Sequence, residues 1–68
     1  MNYAISDSSD GSNGTTTNLS DAKDMARRML GVSRMYTDDT SDGIYCFSTL
    51  KECREFAQGD AVVIRRAA

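Results

Sequence analysis

The side chains able to do chemistry in this chain are few, and their types exclude more than they suggest. The chain has no histidine and two cysteines, Cys46 and Cys53. Without an imidazole the commonest general base and thiol activator is missing, so neither cysteine has the partner a nucleophile needs. The Cys-x6-Cys spacing is neither a redox pair nor a heavy-metal motif, and no zinc site can be assembled from one such chain. Both thiols read as small, reduced core hydrophobes, although a disulfide between them stays open at this level. Asp38, Asp39 and Asp42 put three carboxylates into one hairpin tip. Such residues favour turn geometry and also suit contact with a cation or a basic surface. Arg65-Arg66 ends the last apolar run, and arginine is the better interface cation. Asp38, Asp39, Asp42, Arg65 and Arg66 are therefore the candidate partner-binding residues.

The polar run from Asp7 to Thr17 has the look of a ligand loop and the wrong details. Its acidic spacing departs from the calcium pattern, and no bidentate glutamate follows at the twelfth position. Gly11-Ser12-Asn13-Gly14-Thr15 lacks the Gly-Lys-Ser/Thr of a phosphate loop. No catalytic residue, no metal and no cofactor is expected, and the chain does not read as an enzyme.

Composition narrows the partner. The chain has 68 residues, eight Lys and Arg against ten Asp and Glu, and a net charge of −2. Phosphate binding needs a clustered basic excess, so no direct nucleic-acid contact is expected, and the charge is too mild for a nucleic-acid mimic. Tyr45 and Phe47 have the two-residue period of a base-stacking strand, but the basic, glycine-rich phrase that accompanies such strands is absent. No apolar stretch approaches the length of a membrane span, and the start Met1–Asp7 lacks the basic and apolar regions of a secretory leader. These features predict a soluble, cytoplasmic protein with no membrane contact. At this length a single core is marginal, which makes self-association or a tight partner an expectation.

The elements that position these residues follow from a near-repetition. Leu19-Ser20-Asp21-Ala22-Lys23-Asp24-Met25-Ala26 returns as Leu50-Lys51-Glu52-Cys53-Arg54-Glu55-Phe56-Ala57, with Ser20 against Lys51 the one mismatch in chemistry. Tyr3-Ala4-Ile5-Ser6 precedes the first copy and Tyr45-Cys46-Phe47-Ser48 the second. Asn18 and Thr49 are good N-caps, Thr49 with Glu52 forms a capping box, and Gly31 and Gly59 end the helices. Strands are predicted over 2–6, 32–37, 44–47 and 61–64, with a mobile loop over 7–17 and a turn at 38–43. The order β-α-β-β-α-β predicts one α+β domain over 1–68, a ferredoxin-like sandwich with both helices on one face of a four-stranded antiparallel sheet. In that arrangement Ala61-Val62-Val63-Ile64 lies at a sheet edge, open to another strand.

The phrase Asn18-Leu19-Ser20-Asp21-Ala22-Lys23-Asp24-Met25-Ala26 resembles the Ser-Leu-x-Glu-Ala-Lys-x-x-Ala helix of small phage-encoded inhibitors, both anti-CRISPR proteins and inhibitors of host RNA polymerase. The resemblance implies a short, cofactor-free α+β protein that occludes the binding surface of a host protein or protein complex. It transfers no contact residue. The alternative expectation is a regulatory domain that binds a small molecule at the interface of a ferredoxin-like homodimer, formed through an edge strand or the open sheet face.

Overall fold

The computed structural model of the chain describes residues 2–8, 11–56 and 62–67. Strand β1 (Asn2–Asp7) folds back onto β2 (Asn13–Thr16) in an antiparallel pair. The connecting turn is closed by the Asp7 N–H donating to the Ser12 carbonyl at 2.8 Å and the Gly11 N–H donating to the Asp7 carbonyl at 3.0 Å. The polar run predicted as a loop is thus a hairpin, and its second arm is an outer strand. Backbone bonds to β1 supply what its side chains cannot, and the β-branched Thr15 and Thr16 suit a strand whose outer side meets water.

Helix α1 (Leu19–Leu30) starts as its cap residue predicts, with the Asn18 side-chain oxygen accepting from the Asp21 N–H at 2.8 Å. Gly31, at φ 71°, ends it, and the Gly31 and Val32 N–H groups donate to the Arg28 and Arg27 carbonyls. Its buried residues are Ala22 and Ala26, whose small side chains let the helix lie close to the sheet. Asn18→Ala should lower stability by about 1 kcal/mol, read as a reduced urea midpoint with an unchanged slope.

The second half begins with the hairpin of β3 (Tyr36–Thr40) and β4 (Gly43–Phe47). Thr40 holds its turn: the hydroxyl donates to the Gly43 carbonyl at 3.0 Å and accepts from the Asp42 N–H at 3.1 Å. Helix α2 (Leu50–Arg54) is capped by Thr49, whose hydroxyl oxygen accepts from the Glu52 N–H at 3.1 Å. The Glu52 carboxylate accepts from the Ser48 and Thr49 hydroxyls. The predicted helix ran on to Ala57. It stops at Arg54, and Ala57, Gly59 and Ala61 lie outside the described residues. Strand β5 (Val62–Ala67) follows.

These strands form one five-stranded antiparallel sheet in the order β2-β1-β5-β4-β3. The α+β class is as predicted; the four-stranded, ferredoxin-like order is not. That order has four strands with the first and third in the centre; here there are five, and the last of them, β5, is central. The strand predicted at an edge is the central one. Ile64 stands opposite Ile5 on one side and Ile44 on the other. The reason is burial: Val62 and Ile64 face one side of the sheet and Val63 the other, and all three are buried. A strand apolar on both faces needs a neighbour on each flank and cover above and below.

The helices lie on opposite faces, not on one. α1 packs over β1, β2 and β5, joining Ile5, Cys46, Val62 and Ile64 in one core. α2 packs over β3 and β4, where Tyr45, Phe47 and Val63 meet Cys53 and Phe56 in a second core. Phe56 meets the Tyr45 and Phe47 rings edge to face, with centroids 4.8 and 5.5 Å apart. β4 is apolar on both faces, so a single helical layer could not serve it.

Candidate functional site

Because α1 packs over β1, β2 and β5, the α1 side of β3 and of the start of β4 is left without a helix above it, while Cys46 further along β4 is buried in the α1 core. At the end where α1 begins, the start of β1, the end of β5 and the β3–β4 turn enclose a half-open groove of about 600 Å³. Tyr3, Leu19 and Ile44 give it apolar surface over the buried Ile64, and Asp39, Asp42 and Arg66 supply charge of both signs. These residues come from five separate elements, β1, α1, β3, β4 and β5, and antiparallel register brings the strands among them together. Tyr3 stands opposite Arg66, Ile44 opposite Ile64, and Asp39 opposite Ile44.

The predicted partner-binding residues are divided by this geometry. Asp39, Asp42 and Arg66 line the groove, while Arg65 borders it with its side chain turned to the α2 face, as Val63's is. Asp38 does not: it stands opposite Tyr45 and so belongs to the α2 face. Consecutive strand residues point to opposite sides, so the acidic trio is not one cluster. Arg65 has a structural task, its Nε donating to the Asp42 carbonyl at 3.1 Å. That bond ties the β3–β4 turn to the central strand and fixes one wall of the groove.

Gly43 permits the same close approach. Its φ is 147°, and a Cβ at this position would lie 2.6 Å from the Ile64 carbonyl oxygen. The groove surface given by Tyr3, Leu19 and Ile44 was not foreseen as a site. No local motif marks it, since these residues are adjacent only once β5 is central.

The cysteines lie on opposite sides of the sheet, Cys46 in the core beneath α1 and Cys53 in the core beneath α2, and both are free. The sheet between them excludes the disulfide that the sequence left open. Cys46 is fully buried, and that burial pushes its thiol up to about 11; nearby Lys23 opposes the shift and Asp39 adds to it. The Cys53 thiol is half-buried and sits 3.8 Å from the Thr37 carbonyl oxygen. A thiol reagent at pH 8 should label Cys53 and spare Cys46 until the protein unfolds, as peptide mapping would read.

The raised Cys46 value also has a consequence for stability. Above pH 9 the unfolded chain releases this proton while the folded chain keeps it, so stability is full below pH 9 and falls toward pH 11. Urea midpoints at pH 8 and pH 10.5 should show a fall that is smaller in Cys46→Ala.

Among the described residues no group of three or more His, Cys, Asp or Glu is placed to hold a metal ion, and no helix is long and apolar enough to cross a membrane. The fold and groove define a mixed α+β protein with a five-stranded antiparallel sheet, one helix on each face, and a charged, apolar-lined groove at one end. No family model matches the chain, and neither curated proteins nor solved structures provide a significant match.

Proposed function

We propose that this chain is a small non-catalytic binding protein that docks on a host macromolecule and blocks its working surface, as inhibitors encoded by phages or mobile elements do. The observation that carries this reading is the groove: apolar surface from the half-buried Tyr3, Leu19 and Ile44, with Asp39, Asp42 and Arg66 around it. Apolar area supplies affinity in such a patch, and charge sets orientation and partner choice. The absence of histidine agrees with a binding role in place of catalysis.

A photo-crosslinker placed at the exposed Ser41, on the groove, tests the reading against one at Thr15, on the far outer strand. In an extract of the cells where the protein acts, the Ser41 derivative should give a discrete adduct that excess unlabelled protein competes away. The Thr15 derivative should give none. Absence of a competed Ser41 adduct would sink the reading.

A second reading has the groove volume in its favour. About 600 Å³ falls within the range of small-molecule sites. On that reading, native mass spectrometry of protein purified from its own host finds a retained ligand.

A further inference from the structure

The groove reaches the outer strand β3 at Asp39, and that edge specifies the occupant more closely. β3 pairs with β4 alone among the described strands, so its other side presents backbone donors and acceptors to whatever approaches. Asp38 and Asp39 are consecutive on this edge. One carboxylate therefore stands on each face of the sheet, Asp39 exposed on the groove face and Asp38 half-buried on the α2 face. Neither carboxylate has a hydrogen-bond or ion-pair partner among the described residues.

A second copy is a poor occupant. Full antiparallel pairing of two β3 strands sets Asp38 directly against the same residue of the other copy, and like charges in that position destabilise the pair. A strand with basic side chains on one face only would match one aspartate and leave the other unmatched. The complementary strand carries basic residues on both faces, which in an extended chain means two in succession.

We propose, building on the binding reading above, that β3 is extended by a strand of the partner protein bearing two consecutive basic residues. One stands beside Asp39 at the groove mouth, and the other stands opposite Asp38. Backbone pairing supplies the general affinity, and the two carboxylates select the sequence and its register.

The test uses the full chain and three capped hexapeptides, titrated by amide chemical shifts: Thr-Val-Lys-Arg-Val-Thr, its Lys-Val-Arg rearrangement, and a Glu-Asp version. The dibasic peptide should bind, perturb the amides of β3 and leave those of β2 unchanged. The rearranged peptide should bind about fivefold more weakly, and the acidic one not at all. Asp38→Lys and Asp39→Lys should each weaken the dibasic peptide about fivefold, with the circular dichroism spectrum unchanged. Equal binding of both basic peptides, shifts centred on β2, or a dimer in light scattering that Asp38→Lys dissociates would overturn the proposal. Failure of the dibasic peptide alongside a competed Ser41 adduct overturns the dibasic strand and leaves the binding reading standing; loss of both removes the two together.

Discussion

Ile64→Ala is expected to cost about 3–4 kcal/mol, a large share of the roughly 3–10 kcal/mol available to a chain of this size. Ile64 is 1% exposed, sits on the central strand and stands opposite both Ile5 and Ile44. It therefore joins the first hairpin to the second beneath α1, and truncation leaves a cavity that neither hairpin can fill without parting from β5. Ile64→Val, which removes one methylene, should cost only about 1 kcal/mol. Urea unfolding followed by far-ultraviolet circular dichroism measures both. A loss below about 1 kcal/mol for the alanine variant would show that β5 is not the central strand.

The second large effect is at Gly43, where alanine should cost about 3 kcal/mol through backbone strain and a collision with a neighbouring strand. The added Cβ would meet the Ile64 carbonyl oxygen at 2.6 Å, a backbone atom that cannot rotate away. Gly11 is the control. It also has a positive φ, of 77°, but a Cβ there meets nothing within 4 Å. Gly11→Ala should thus cost only the conformational strain, about 1–2 kcal/mol. If thermal unfolding finds the two variants equal, close approach of β4 and β5 is not what Gly43 provides. Gly43→Ala should also disturb the groove, since Asp42, the turn residue that Arg65 ties to β5, lies one residue earlier.

The elements with local signals were legible in the sequence. Asn18, the apolar stripe and Gly31 bound α1 as predicted, and Asp42-Gly43 marked the hairpin. β2 was missed because Asn13-Gly14-Thr15-Thr16 has no apolar residue, and its place depends on backbone pairing with β1. The placement of β5 failed for a different reason. Val62-Val63-Ile64 is apolar on both faces, which favours the centre of a sheet, but the near-repetition around the helices suggested a β-α-β unit instead. The recurring unit is a hairpin followed by a helix, and β5 stands outside it.

The candidate site was legible in part. Asp39, Asp42 and Arg66 do converge, whereas strand alternation turns Asp38 and Arg65 to the other face. The groove's apolar residues were invisible because pairing between the two ends of the chain creates that surface. Of the two expected routes to a homodimer, pairing onto the last strand as an edge does not apply, because β1 and β4 flank β5.

The position of β5 also bears on how the protein is made. Both hairpins and both helices precede it in the chain, so during synthesis β1 and β4 each wait with one flank unpaired. A nascent or truncated chain that stops short of β5 presents two adhesive strands, and β1 must pair with a segment from the opposite end of the described chain. Such distant pairing is slow to form. The ribosome and its chaperones therefore meet a molecule that stays sticky until β5 threads between the two hairpins.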